Sequence, residues 1–424
     1  MTPAAPVRRE PLEACPRPLL VMRNALMLAL GQITVQISAV LVGILVARVL
    51  GQAAYGQYGL AFAFATMFGL LFYLATDTLM VREIARDPSP AGVWGMIRAG
   101  LWIRLVCFPL ALVLIVGGAL LVGYDPAQVT LIALAALALG VSISADLLRA
   151  GLQGLQRMDL DAAARAVEKV TALALVAAVV LFTRSLPLAI AMLLLAALAG
   201  VAVSAWLLVR LSGRPATLAP RPHASLRLLR LSLPWSGAMI VIAVYQQLPI
   251  VILSQHAPIH EVGLYNAANG VVAPFLLLPV AFGTALLPAL TRHRAGLRGF
   301  GGLLALTVAL ALAVMGGLLL LGDWPIRVLF GADFVDAYAV LPWLALLTVP
   351  EFVIAFLINF LIARDQQRWL PYGSLTSLAL TLVLCLLLIP AYGMLGAALA
   401  RVCATSGGAA VMLLFALGAV RRGR

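Results

Sequence analysis

Apolar and polar positions along this chain come in blocks, with no residue-by-residue alternation. Runs of about 20 apolar residues, each long enough to cross a hydrocarbon layer of roughly 30 Å as a helix, recur along its length. Twelve can be read, at 24–47, 57–80, 99–122, 127–148, 166–183, 186–209, 229–254, 262–289, 301–321, 338–362, 370–389 and 393–419. The connections are short; the longest are 81–98, 149–165, 210–228 and 322–337. The pattern predicts an all-α polytopic membrane protein with twelve transmembrane helices. A membrane β-barrel would alternate apolar and polar residues in stretches of about 10.

Composition agrees: of 424 residues, 63% are hydrophobic and 11% charged, and the mean hydropathy is +1.07. The net charge of +13 would suggest a nucleic-acid partner in a soluble protein. Here its distribution gives another reason. Of the 29 Lys and Arg, Arg48, Arg184 and Arg327 fall on one side and Arg401 lies inside the last run. All the others fall on the opposite side, with the two termini. Positive loops stay cytoplasmic, so both termini are expected in the cytoplasm and no nucleic acid is expected. Residues 1–22, Pro-rich and basic, read as a disordered cytoplasmic tail. Cys15, Cys107, Cys385 and Cys403 lack metal-ligand spacing. His256 and His260 lack a third ligand. With no phosphate-binding loop, nucleophile elbow or dinucleotide motif, no metal, cofactor, ATP-driven step or enzymatic activity is expected.

The chain also carries an internal echo. Sliding residues 23–71 by 207 positions gives ten identities, among them Arg23/Arg230, Leu41/Leu248, Gly56/Gly263, Tyr58/Tyr265 and Phe68/Phe275. Both arginines open a run on the side of the termini, and both Gly-x-Tyr pairs open the returning run. Arg157 and Arg364 keep the same offset. The reading is a two-fold repeat: helices 1–6 over 23–210, a cytoplasmic linker over 211–228, and helices 7–12 over 229–420. Because six is even, both halves start on the same side. Their pseudo-two-fold axis therefore lies along the membrane normal, an architecture of transporters.

Several stretches carry a family resemblance. "ARVLGQAAYGQYGLAFAFA" followed by "VREIAR", then "EVGLYNAANGVVAPFLLLPVAFGTALLPAL", "VLFGADFVDAYAVLPWLAL" and "IPAYGMLGAALA" resemble polysaccharide biosynthesis proteins. These are O-antigen-type oligosaccharide flippases of the multidrug/oligosaccharidyl-lipid/polysaccharide exporter superfamily. The resemblance covers nearly the whole chain beyond the tail. It implies two six-helix bundles forming a V that opens alternately to each side of a bacterial inner membrane. It implies an undecaprenyl-diphosphate-linked oligosaccharide as cargo, moved to the periplasmic leaflet for surface polysaccharide such as lipopolysaccharide O-antigen. One departure follows Asp77, where the family commonly carries Gly and this chain has Thr78-Leu79.

Moving a diphosphate and sugars through a layer where unpaired charge is costly calls for cations and for amides or hydroxyls. Ionisable residues within spans are candidates by default. Arg23 and Arg230 are candidate phosphate anchors at the cytoplasmic mouth, with ordinary topology anchoring as the alternative. Arg104, several residues into its span, is explained equally well as a functional cation or as snorkelling to the interface. Gln32 and Gln36 share a face of span 1. Ser232, Ser236 and Gln247 fall close to one face of span 7, with Gln246 on the next stripe. With Asn269 and Asn359, these either line a sugar-binding cavity or bond between helices. Glu351, beside Pro350 in mid-span, is the candidate site for a coupling H+ or Na+, with Asp77 second. Asp77 and Asp146 are expected to pair locally with Arg82 and Arg149. The main expectation is an alternating-access flippase with a cationic, hydrated central cavity. A cation-coupled drug exporter of the same superfamily is the alternative, and would want acids in that cavity. A lipid II flippase usually carries two further spans, and a polymerase or ligase would want a large outer loop.

Overall fold

The computed structural model describes residues 18–73, 76–215, 217, 219, 222–279, 283, 297–364 and 366–421. Among these residues thirteen helices follow one another: α1 Pro18–Tyr73, α2 Thr76–Arg86, α3 Pro90–Val122, α4 Pro126–Gly154, α5 Met158–Thr183, α6 Leu186–Ser212, α7 Pro222–His256, α8 Ile259–Val272, α9 Leu297–Leu320, α10 Trp324–Leu329, α11 Leu341–Leu346, α12 Thr348–Ala363 and α13 Leu370–Arg421. Short 3₁₀ turns occupy Ala273–Leu276, Ala332–Ala339 and Gln367–Trp369. No strand occurs among the described residues.

Ten helical stretches among these residues are long and apolar enough to cross a membrane. Two of them, of 48 and 54 residues, would each exceed 70 Å if straight at about 1.5 Å per residue. Both turn back. α1 breaks at Gly51 (φ 83°, ψ −179°) and α13 at Gly393 (φ 53°, ψ −130°), conformations that suit a residue without Cβ. Each therefore crosses twice, which gives twelve crossings in two six-helix bundles. Pro at the first helical turn opens α3, α4 and α6. Left-handed Gly123 ends α3, and left-handed Arg184 ends α5.

Several boundaries differ from the sequence reading. Residues 1–17 of the expected tail lie outside the described residues, and 18–22 already belong to α1. Most of the expected 149–165 connection is helical, because α4 runs to Gly154 and α5 starts at Met158. Span 10 is broken at Leu347 between α11 and α12. The break lies just before Pro350, whose missing N–H leaves the Leu346 carbonyl without its usual i+4 donor. Residues 280–282 and 284–289 of the eighth span lie outside the described set.

Three apolar cores organise the molecule. The largest surrounds the turns away from the termini and takes residues from both halves, among them Val46, Tyr55, Ala119, Val180, Leu253, Tyr265, Phe334 and Ile389. Toward the termini the cores separate. One joins α2, α3, α4 and α6 with Leu228 at the start of α7, and the other joins α9, α12 and the end of α13. The halves thus share one core at the far end and have separate cores toward the end carrying Pro18 and Arg421, a V whose arms stay in touch where the start of α7 packs on α2 and α3 through Leu228 and the Ser225 hydroxyl donates to the Ala99 carbonyl.

The crossing at the far end bears out the repeat. A methyl group on Gly56 would overlap the Ile259 carbonyl, and one on Gly263 would overlap the Gln52 carbonyl. Residues 52 and 259, like 56 and 263, differ by 207. Gly59 likewise faces Asn266, again 207 apart. The pseudo-two-fold axis therefore passes between Gly56 and Gly263.

Candidate functional site

Each bundle gathers buried charge. In the first, the short α2 ends its span with Asp77, and α3 directs Arg104 inward to it, with Nη2 2.7 Å from Oδ1. Arg104 is buried and does not reach the interface, and Asp77 pairs with it in preference to the neighbouring Arg82. The side chain of Arg104 also reaches the Ile143 carbonyl of α4. Asp146 pairs with Arg149 as expected, at 2.8 Å, and also with Arg165 of α5 at 2.9 Å. Arg165 holds Asp161 at 3.1 Å. Arg149, 1% exposed, continues to Glu168 at 2.7 Å, and Glu168 holds Lys169 at 2.7 Å and the Ser142 hydroxyl at 2.6 Å.

This network borders a cavity of about 470 Å³ lined by Gln32, Asp77, Thr78, Asp146, Gln153 and Arg165, with small apolar side chains between them. Gln32 and Thr78 are exposed at its edge. A second cavity of about 210 Å³ lies deeper and shares Glu168, Lys169 and Ser142. Sequence reasoning placed Gln32 and Asp77 but passed over Gln153, Arg165 and Glu168. Arg165 was signalled by its helical charge spacing, Asp161/Arg165.

In the second bundle, Arg401 of α13 is buried and donates to Asn269 Oδ1 of α8 at 2.7 Å. Glu351 of α12 lies within electrostatic reach of Arg401 and Tyr245. Of the candidates, Asn269 thus holds Arg401, which hydropathy had left stranded in the last span, and Glu351 lies within its electrostatic reach. Gln246 and Gln247 are half-buried beside Tyr245, and Gln36 is half-buried on α1. The remaining candidates stand apart. Ser236 gives its hydroxyl to the Ser232 carbonyl, Ser232 gives its own to Leu229, and Asn359 gives its amide to Ala355. Arg23 and Arg230 are exposed and form no ion pair among the described residues.

At the far end the bundles are latched by polar contacts. The Arg48 side chain donates to the Leu329 carbonyl at 2.8 Å and also to Val328, and Gln52 donates to the Asp333 carbonyl. Tyr124 bonds Ser254 at 2.8 Å.

The sequence matches the family described as "Polysaccharide biosynthesis protein" over residues 21–293. Among curated proteins none matches. Solved structures share the fold. An inward-facing multidrug resistance MATE family transporter of the MOP superfamily superposes with a TM-score of 0.70 at 14% identity, over 94% of this chain and 98% of that one. The lipid II flippase MurJ, in an inward closed conformation, gives 0.68 at 16%, over 94% and 90%. A MOP superfamily transporter from Pyrococcus furiosus gives 0.63 at 15%, over 95% and 96%.

Proposed function

Because the chain belongs to the polysaccharide biosynthesis protein family, we propose that it is a flippase that carries a lipid-linked oligosaccharide across a bacterial inner membrane by alternating access. The cargo is an undecaprenyl-diphosphate-linked glycan, taken from the cytoplasmic leaflet and delivered to the periplasmic one. The observation that carries this reading is the V itself. One shared core and a set of latches close the far end, while toward the termini the cores are separate and only the start of α7 bridges to α2 and α3 among the described residues. That is one of the two states a rocking transporter needs. The charge asymmetry supports cytoplasmic termini, so the end with separate cores faces the cytoplasm. The bundles are residues 23–210 and 229–420, joined by the 211–228 linker. Arg23 and Arg230, exposed and without ion pairs among the described residues, meet the diphosphate at that mouth.

Glu351 is the site for the coupling H+ or Na+. Asp77 is the weaker candidate, since Arg104 already neutralises it. The drug-exporter alternative shares the fold and the inward-facing likeness. The balanced acids and bases around the larger cavity argue against it, because a cationic drug calls for a surplus of acid.

The test is charge reversal. Arg23→Glu and Arg230→Glu, separately and together, are expected to reduce surface glycan at unchanged membrane levels of the protein. Normal glycan in the double variant would reduce both arginines to topology anchors. A deletion strain that keeps its glycan, with no second flippase present, would overturn the reading.

A further inference from the structure

The network of the first bundle has a property that the expected cationic cavity lacks: it is electrically balanced. Asp77, Asp146, Asp161 and Glu168 are matched by Arg104, Arg149, Arg165 and Lys169, joined through six ion pairs. The wall of the 470 Å³ cavity draws on this set. A diphosphate calls for unspent positive charge, and a bound alkali or divalent cation calls for a surplus of carboxylate oxygens. The charged residues of the wall itself are Asp77, Asp146 and Arg165, and both carboxylates are already spent, Asp77 on Arg104 and Asp146 on Arg149 and Arg165. The wall offers the Gln32 amide, the Thr78 hydroxyl, the Gln153 carbonyl oxygen left over once its amide has donated to Asp161 at 2.9 Å, and Asp146, whose side chain is 28% exposed. Donors and acceptors are interspersed, with Gln153 and Asp146 fixed by their partners. A sugar hydroxyl both gives and accepts hydrogen bonds, so a wall of this kind suits a neutral polyhydroxylated ligand. The volume lies within the roughly 300–1,000 Å³ usual for small-ligand pockets.

We infer that this cavity is a saccharide subsite, which receives the first sugar units of the cargo while the diphosphate stays outside the balanced network. The inference rests on the flippase reading.

The full chain in lipid nanodiscs is titrated with undecaprenyl diphosphate, bare or carrying one N-acetylglucosamine or one galactose. One glycosylated probe is expected to bind more tightly than the bare lipid by about tenfold, the scale of one or two well-made hydrogen bonds. Gln32→Ala with Thr78→Val, at edge positions that leave every ion pair intact, is expected to remove that difference and spare binding of the bare lipid. Asp146→Asn unbalances the wall toward positive charge and is expected to tighten the bare diphosphate while narrowing the preference for sugar. Arg23→Glu is expected to weaken all probes alike. If the bare lipid binds as tightly as both glycosylated ones, or the double variant keeps the preference, the subsite is overturned and the flippase reading stands. If no probe binds, the flippase reading falls and the subsite falls with it.

Discussion

Gly56 and Gly263 do at single-residue scale what the V does for the molecule. Each lies against a backbone carbonyl of the other half, so the two helices cross with no side chain between them. Gly56→Val or Gly263→Val is therefore expected to wedge the far end open without blocking insertion. The check is labelling of Ser254→Cys by a membrane-impermeant maleimide, which should be slow in the parent and fast in either variant. Arg149 makes a contrasting case. It is 1% exposed between Asp146 and Glu168, and Arg149→Met strands buried carboxylate charge. The expected loss is about 3–5 kcal/mol, read as a lowered unfolding midpoint in detergent. The sequence announced the glycine pair through its 207-residue offset, because a repeat preserves position. It hid the partner of Asp77, because Arg104 lies 27 residues away on another helix and hydropathy does not report which face of a helix turns inward.

At the scale of elements, apolar run length located every crossing but not every turn. The gaps 48–56 and 390–392 between paired runs located two turns to within a few residues but did not single out Gly51 and Gly393, whose own backbone angles make them. Gly393→Ala would force a Cβ into φ 53°, ψ −130° and against the Glu261 carboxylate. It is expected to cost about 1–3 kcal/mol, the usual scale of such strain, again read from the unfolding midpoint. Gly302→Ala, in open space within α9, should leave the midpoint unchanged or raise it. Pro350 was legible as a breaker, and the break at Leu347 follows from its missing donor. The helical extensions of α4 and α5 past the apolar runs were not. Their outer turns are polar, and Asp146, Arg149, Asp161 and Arg165 stabilise them through one another after folding.

For the whole molecule, the halves are alike in path and unlike in content. The first carries eight ion-paired side chains, and among the described residues of the second the buried Arg401 lies near the half-buried Glu351. The duplication is legible in sequence, and this division of labour emerges only once the helices are packed. If the molecule works by rocking, the latches at Arg48, Gln52 and Tyr124 must release in each cycle. Tyr124→Cys with Ser254→Cys, in a background without other cysteines, bridged by a cleavable bifunctional thiol reagent, is expected to stop glycan export. Reductive cleavage should restore it. Export that continues while bridged would exclude rocking about the far end.

The shared core at the far end also bears on how the chain is made. Ribosomes deliver the first bundle before the second exists, so Val46, Tyr55 and Ala119 are synthesised well ahead of Leu253, Tyr265 and Phe334, which later cover them. The core nearer the termini in the first bundle, by contrast, is nearly complete once α6 has emerged. Biogenesis therefore passes through a half-molecule that is finished at one end and unfinished at the other, waiting in the bilayer with an apolar face and a glycine groove that only its own second half fits.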